Sequence, residues 1–174
     1  MRISRTIALS LLLLFTSCLF GPNAGPRVLG YRQGRVYLTR DGSYQVGLLP
    51  DGWRRMRTGG KAITFHHAAT GATIMTGALC GAAFEDQPLP RLLGQLFGGF
   101  PIQRTIRTER LVLDGREALR ELSLRTLDGV PIQFDAVVLK KHGCSFDLIC
   151  MAPPERYAEV APAFDAFFRV FAFE

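Results

Sequence analysis

The sequence lacks the residue patterns of the common catalytic sites. It has three histidines, one tryptophan and four cysteines in 174 residues. It contains no Gly-x-Ser-x-Gly nucleophile turn, no His-Glu-x-x-His metal motif and no Cys-x-x-Cys redox pair. Gly60-Lys61 lacks the upstream glycine and the following Ser or Thr of a phosphate-binding loop. These absences argue against the hydrolase, thiol oxidoreductase and nucleotide-binding classes.

The remaining titratable residues are poorly placed for metal or acid–base chemistry. His66 and His67 are adjacent in a predicted strand, so their side chains point to opposite faces, and His142 lies in a predicted turn. Glu85 and Asp86 are neighbours in a predicted loop, where carboxylates are usually solvated. The cysteines lack the paired spacing of zinc sites. We therefore predict no catalytic residue, no metal and no cofactor, and hence a protein that is not an enzyme.

The N-terminal segment predicts export and lipid attachment. Arg2 and Arg5 precede an apolar stretch from Ile7 to Phe15, which is too short to cross the ~30 Å core of a bilayer as a helix. The stretch ends at 15–18 (FTSC), which resembles the lipobox of bacterial lipoproteins, with phenylalanine at the usual leucine position. In that family the cysteine, here Cys18, is acylated and becomes the first residue. An ordinary secretory signal, cut near Ala24, is the alternative.

These features divide the chain into three parts. We predict a signal peptide over 1–17, a lipidated cysteine and flexible tether over 18–34, and one domain over 35–174. Four glycines and two prolines in 19–34 disfavour packing. Leu19, rather than aspartate, follows the cysteine. In lipoproteins of the enteric type this implies attachment to the outer membrane, facing the periplasm.

The charge balance gives only a weak indication of partners. The chain carries a net charge of +6, and loss of Arg2 and Arg5 with the signal peptide leaves +4. The basic residues are scattered, without the interleaved aromatic side chains that bind single-stranded nucleic acid. We expect no nucleic acid partner. A basic face against anionic lipid or an acidic partner is the alternative to a merely solvated surface.

The rest of the sequence predicts an α+β domain built on an antiparallel meander. Alternating runs are separated by pairs such as Asp114-Gly115 and Asp128-Gly129, which are typical of hairpin turns. A short helix is predicted over Leu89–Phe97, and a closing helix is predicted from near Ala161 because Pro162 suits a first helical position. The predicted strands are 35–40, 43–49, 62–67, 72–80, 105–113, 116–126, 130–140 and 144–151.

Three cysteines remain after Cys18, and an exported protein is expected to pair two of them. Cys144 and Cys150 lie in one predicted strand about 20 Å apart, which is too far for a disulfide. Pairing of Cys80 with Cys144 or with Cys150 is therefore open. We favour Cys80–Cys144, because both residues lie at strand ends next to a glycine.

The order of several short motifs resembles PsbP-like domains and the layout of DcrB-like bacterial lipoproteins. The motifs are YQVGLLPDGW at 44–53, LDGREA at 113–118, and the strand 144–151 followed by Ala-Pro-Pro and a phenylalanine-rich helix. Together they cover about residues 40–173. The resemblance implies an α/β/α sandwich whose relatives mostly bind or stabilise other proteins. It brings no catalytic residue with it.

We therefore expect a membrane-anchored envelope protein that binds a protein partner. A carrier of a small apolar ligand is the first alternative, and it predicts a cavity lined by Phe164, Phe168 and Leu148. An envelope enzyme is the second, and it predicts a cleft with converging titratable groups. Trp53 is expected to plug the core, or to be a partner hot spot if it is exposed.

Overall fold

The computed structural model describes residues 28–39, 42–57, 62–81, 84 and 86–174. These residues form two antiparallel sheets and two helices, as the sequence predicted for an α+β domain. The four-stranded sheet has the order β1-β2-β3-β11, and the seven-stranded sheet has the order β4-β5-β6-β10-β9-β8-β7. The strands are β1 Val28–Arg32, β2 Arg35–Leu38, β3 Ser43–Gln45, β4 Trp53–Met56, β5 Ala62–His67, β6 Ala72–Cys80, β7 Ile102–Leu113, β8 Arg116–Leu127, β9 Val130–Lys141, β10 Cys144–Ala152 and β11 Ala172–Phe173.

The long hairpins of the large sheet are set by three tight turns. In each turn a residue with positive φ precedes a glycine with positive φ: Asp114-Gly115 (48° and 69°), Asp128-Gly129 (50° and 83°) and His142-Gly143 (50° and 70°). Two successive left-handed residues match the right-handed twist of the paired strands. The turns therefore fix the register of β7 through β10.

The two faces of the large sheet are covered differently. Helix α1 (Leu89–Leu96) packs on one face against β8 and β9. Helix α2 (Tyr157–Arg169) and the small sheet cover the other face, where the larger apolar core lies. The chain thus forms helix, sheet and helix layers, which agrees with the predicted sandwich. No helix among the described residues is long and apolar enough to cross a membrane.

The predicted boundary between tether and domain at residue 34 is wrong. Val28–Arg32 forms β1 and pairs with β2, so residues 28–34 belong to the folded domain. The glycines in this segment suggested a linker, but Gly34, with φ of 84°, completes the β1–β2 turn. Lipidation of Cys18 and the predicted signal peptide lie outside the described residues.

The predicted start of the closing helix is also wrong. Helix α2 begins at Tyr157, after a 3₁₀ turn at Pro154–Arg156, and it contains Pro162. A proline inside a helix removes one backbone hydrogen bond. Pro162 is exposed, and burial of Phe164 and Phe168 on the opposite side outweighs that loss.

Candidate functional site

The cysteines form one disulfide and one buried free thiol in the described part of the chain. Cys80 and Cys144 face each other in the register of β6 and β10 and are joined, which is the pairing favoured from the sequence. Cys150 lies opposite Ile74, too far along β10 to reach Cys80. Burial raises the pKa of the Cys150 thiol, and the charge of Asp135 raises it further. Cys150 is therefore suited to packing and not to thiol chemistry.

The histidines do not come together. His66 and His67 lie on opposite faces of β5, as predicted, and His67 accepts or donates a hydrogen bond with Thr70 Oγ1 at 2.9 Å. Trp53 is half-buried against the His67 ring, with centroids 5.2 Å apart, so it is neither a full core plug nor an exposed hot spot. No group of three metal-ligating side chains occurs among the described residues. Glu85 lies outside them.

The cavity predicted between sheet and closing helix is not found at its predicted lining. Phe164, Phe168 and Leu148 are all fully buried. The two phenylalanine rings pack together with centroids 5.3 Å apart, and the Arg120 guanidinium lies 4.8 Å from the Phe168 ring centroid. The space between sheet and helix at these residues is filled by side chains.

A buried polar network holds helix α2 against the sheet. Arg120 on β8 donates to both carboxylate oxygens of Asp135 on β9, at 2.8 and 2.5 Å, and to Asp165 on α2 at 2.7 Å. The Tyr157 hydroxyl donates to Asp135 at 2.6 Å, and Glu109 on β7 accepts from Arg120 at 3.2 Å. Three carboxylates thus accept hydrogen bonds from one buried guanidinium, and the Tyr157 phenol donates to one of these carboxylates.

The electrostatics of this network favour a structural role. Burial alone would lower the pKa of Arg120. The hydrogen bonds to Asp135 and the negative charge of Asp135 outweigh the effect of burial, so the pKa of Arg120 is raised. Burial and the bond to Asp135 raise the pKa of Tyr157. Asp135 is completely buried, so a substrate cannot reach it. Sequence reasoning missed the network, although Asp135 is the lone acid of β9 and directly precedes the apolar run 136–139.

A second, half-buried acid lies on the opposite face of the sheet. Asp147 on β10 lines a recess of about 200 Å³ with mostly apolar neighbours, including Met75, Leu96 and Ile149. Burial raises the pKa of Asp147 to about 7, while the hydrogen bond from Ser145 Oγ lowers it only in part. Among the described residues, the lining of the recess places no second titratable group beside this carboxyl.

An open apolar groove lies at the end of the sheet where β8 turns into β9. It has a volume of about 610 Å³, and Val130 and Leu127 on its rim are 61% and 40% exposed. We call it the apolar groove. Its lining residues are Gly71, Thr73, Leu127, Val130, Pro131, Ile132, Met151, Ala152, Pro153, Pro154 and Glu155.

The groove is suited to binding and not to bond making. Among the described residues that line it, only Glu155 is charged, and Thr73 is the one other residue with a polar side chain. Apolar contact with Leu127, Val130 and Met151 would provide the affinity, because it is roughly proportional to the apolar area removed from water. Sequence reasoning did not find this groove, because its lining comes from three separate segments of the chain.

No protein-family model and no curated protein sequence matches the chain. Solved structures match it at low identity. Cyanobacterial PsbP (CyanoP) from Synechocystis superimposes with a TM-score of 0.55 at 14% identity, over 88% of this chain and 95% of that one. LpqN of Mycobacterium tuberculosis, described as involved in cell envelope biogenesis, gives a TM-score of 0.53 at 16% identity, over 78% and 86% of the two chains. At these identities the likeness concerns the fold alone, and the chain has the PsbP-like fold that its motifs predicted.

Proposed function

We propose that this protein is a lipid-anchored, non-catalytic binding protein of the cell envelope that holds an apolar segment of a protein partner in the apolar groove. One observation carries the proposal. Val130 and Leu127 stay exposed on a concave surface, and Glu155 is the one charged side chain in the part of its lining that the structure describes. Exposed apolar patches of this kind are typical of interaction sites.

The groove is built on rigid backbone, which favours binding of an extended segment. Its floor is formed by β9 and β10, which pair along nine successive residues. Pro131, Pro153 and Pro154 fix φ along its walls. A preformed site loses little conformational entropy when it binds, so more of the contact energy becomes affinity.

The charged groups of the domain support binding over catalysis. Arg120, Asp135 and Tyr157 are bonded to one another under helix α2, away from the groove. Asp147 lies in a recess on its own. A catalytic cleft needs titratable groups that converge on one substrate position.

The envelope location rests on the N-terminal segment and its lipobox-like end at Cys18. The fold is shared with LpqN, which is described as involved in cell envelope biogenesis. The direct test is the intact mass of protein purified from its own membranes. We expect cleavage before Cys18 with acyl chains attached. An unlipidated mass beginning after residue 18 would overturn the anchor.

The groove is tested by site-specific photo-crosslinking in cells. A photoreactive residue at Val130 should give a defined protein adduct, and one at Val112, which is 76% exposed on β7, should not. Leu127→Glu should abolish the Val130 adduct while leaving the abundance of the protein unchanged. The same adducts from both positions, or an adduct that survives Leu127→Glu, would contradict the proposal.

A small apolar ligand in the same groove is the second candidate. The observation in its favour is the groove volume of about 610 Å³, which lies within the ~300–1,000 Å³ common for ligand pockets. Crosslinking at Val130 would then add the mass of a small molecule, and native mass spectrometry would detect the same molecule on the purified protein. A protein adduct without any bound small molecule would exclude this candidate.

A further inference from the structure

A recess on the face of the large sheet that carries helix α1 surrounds a carboxyl with which no described cation pairs. Asp147 on β10 is half-buried there, in a volume of about 200 Å³ whose other described lining residues are uncharged. The walls are mostly apolar and include Met75 and Leu79 on β6, Leu96 on α1 and Ile149 on β10. We call this space the Asp147 recess.

The recess is a gap in the side-chain layer of the sheet. Asp147 lies directly opposite Gly77 on β6, and Gly77 lies opposite Ala62 on β5. Direct cross-strand neighbours share a face of the sheet, so the row beside the carboxyl holds only a glycine and an alanine. These two residues leave the sheet uncovered next to Asp147. Met75 and Leu79, two residues from Gly77 on either side, form walls around the gap.

One oxygen of the carboxylate is left for a ligand. Oδ1 of Asp147 accepts from Ser145 Oγ at 3.5 Å, which is longer than is typical for a hydrogen bond. Oδ2 accepts nothing from the described residues and is not fully buried, so it is open to the recess. A carboxylate without a partner is costly to ionise in such surroundings, and burial therefore raises the pKa of Asp147 to about 7. A cation at Oδ2 would remove that cost.

The described cations of the surrounding elements are held elsewhere. Lys140 on β9 shares this face, but its Nζ donates to the Gln87 carbonyl at 2.8 Å. Arg91, in the first turn of α1, is exposed, and His66 lies at the far end of β5. Strand β6 has no charged residue. None of these three side chains bonds to Asp147, whose one hydrogen bond among the described residues comes from β10 itself.

The lining favours a single ammonium over other cations. A guanidinium binds best with two parallel N–H donors to both oxygens of a carboxylate, and here Oδ1 already accepts from Ser145. Calcium and magnesium take six or more oxygen ligands, whereas one carboxylate lines the described part of the recess. An ammonium can bind at the single open oxygen, and its alkyl stem can lie along the apolar walls, as lysine stems do on apolar surfaces.

The size of the recess limits the length of that stem. A volume of about 200 Å³ corresponds to roughly six or seven water molecules at ~30 Å³ each. By the same measure there is room for an ammonium on a stem of about four or five carbons. Leu79 is 46% exposed and marks the mouth of the recess, where a longer stem can continue into solvent.

We propose that the Asp147 recess binds an alkylammonium ion, with the nitrogen at Oδ2 of Asp147 and the stem between Met75 and Leu96. The ion is a free amine or the side chain of a lysine on another protein, since both present the same group to the recess. Among the described residues, the recess and the apolar groove have no lining residue in common. The proposal therefore does not depend on the function proposed for the groove.

The first test uses n-pentylamine, whose ammonium stays protonated well above neutral pH, as that of lysine does. The full chain carries aspartate labelled with ¹³C at the carboxyl carbon, and the Asp147 NMR signal is identified by its absence in Asp147→Asn. Because the ammonium binds the ionised carboxylate, saturating pentylamine should lower the pKa of Asp147 from about 7. The affinity should rise by up to tenfold for each pH unit and level off above pH ~7. An unchanged pKa, or equal binding of n-pentanol, would overturn the proposal.

Variants separate the carboxylate from the space around it. Asp147→Asn should weaken pentylamine binding at pH ~8 by about ten- to hundred-fold in isothermal titration calorimetry, as expected for a hydrogen bond between charged groups. The matched control, Asp128→Asn, removes an exposed carboxylate at the β8–β9 turn and should bind as wild type does. Ala62→Leu fills the recess and should weaken binding while Asp147 still titrates. Equal affinity of Asp147→Asn and wild type would contradict the proposal. Far-ultraviolet circular dichroism checks that each variant is folded.

A cation supplied by the chain itself is tested separately. Lys61 precedes Ala62 in the sequence and lies outside the described residues. We expect Lys61→Gln to leave both the pKa of Asp147 and the affinity for pentylamine unchanged. If this variant instead raises the pKa of Asp147 by as much as pentylamine lowers it, the ammonium belongs to this chain and the proposal of an external ligand is wrong.

The source of the natural ligand is identified by coupling it to Asp147 in native membranes. A carbodiimide joins a carboxylate to an amine in contact with it, with loss of water and no added spacer. After trypsin, a free amine would add its own mass at Asp147 in peptide 142–156, and a protein partner would leave a branched peptide joined through lysine. Neither product, with Asp147 still coupling to added pentylamine, would mean that nothing in the envelope occupies the recess, and the proposal would fail. Crosslinking at Val130 tests the groove independently, so either proposal can fail while the other stands.

Discussion

Arg120 and Asp135 form a two-pronged ion pair between β8 and β9, with Nε–Oδ1 and Nη2–Oδ2 distances of 2.8 and 2.5 Å. Arg120 also donates a hydrogen bond to Asp165, and Asp135 also accepts one from Tyr157. Asp165 and Tyr157 both belong to helix α2. The pair therefore joins the sheet to the helix that covers it. Since both members are buried, its energetic role depends on keeping the two charges together.

Removing one member of this pair should be much more costly than removing both. We expect Asp135→Asn to lower the free energy of unfolding by about 3–5 kcal/mol, because the Arg120 charge stays buried without its main partner. Arg120→Met with Asp135→Leu should recover most of that loss. Urea unfolding measures each variant. Arg110→Met, which breaks the exposed pair with Glu117, is the control and should cost less than about 1 kcal/mol. Equal losses in single and double variants would contradict this account.

The large sheet, except for its edge strand β4, was predictable from local patterns. Its hairpin turns each place a glycine after a residue that tolerates positive φ, and these pairs are visible in the sequence as Asp114-Gly115, Asp128-Gly129 and His142-Gly143. Helix α1 was found by its apolar spacing, with Leu89, Leu92 and Leu93 buried. Such signals act within a few residues, so they survive in the folded domain.

What the sequence did not predict depends on long-range contacts. Strand β1 was missed because its pairing with β2 overrides a glycine-rich composition. Strand β11 has two residues and exists only through its pairing with β3, more than 120 residues earlier. The apolar groove joins Gly71, Val130 and Pro153, which no single stretch of sequence brings together.

The disulfide should be an important contributor to stability. Cys80 and Cys144 are 64 residues apart, and closing a loop of that length is expected to stabilise the domain by ~4 kcal/mol through the unfolded chain. We expect Cys80→Ser with Cys144→Ser to lower the urea midpoint accordingly. Thiol counting gives an independent check: the native protein should alkylate no described cysteine, and the unfolded, unreduced protein only Cys150. Alkylation of Cys80 or Cys144 before reduction would show that the pair is open.

Asp147 should make the domain less stable as the pH rises. Its pKa in the folded state is raised to about 7 from an ordinary value of 3.8, so the folded state holds the proton more tightly than the unfolded state does. Stability from this group is present below pH ~4 and is lost as the pH rises to about 7, at ~1.4 kcal/mol for each pH unit of the shift. Asp147→Asn should be close to wild type at pH ~4 and more stable above pH ~7 by a few kcal/mol. Urea unfolding across this range measures the difference, and a constant difference at all pH values would contradict the assignment. Ser145→Ala removes a hydrogen bond that lowers the pKa, so it should extend the loss to higher pH.

Two glycines should respond to alanine in opposite directions. At Gly47 an added Cβ would lie 2.3 Å from the Ala166 carbonyl oxygen, and the Gly47 amide donates to Phe167 at 2.8 Å, so the backbone cannot move away freely. We expect Gly47→Ala to lower the free energy of unfolding by about 1–3 kcal/mol, the usual cost of overpacking.

Gly94 is exposed inside helix α1 with nothing within 4 Å of an added Cβ, so Gly94→Ala should raise stability by up to ~1 kcal/mol through helix propensity. Urea unfolding of both variants decides the matter. A Gly47→Ala protein as stable as wild type would mean that helix α2 does not approach β3 and the segment after it as closely as described.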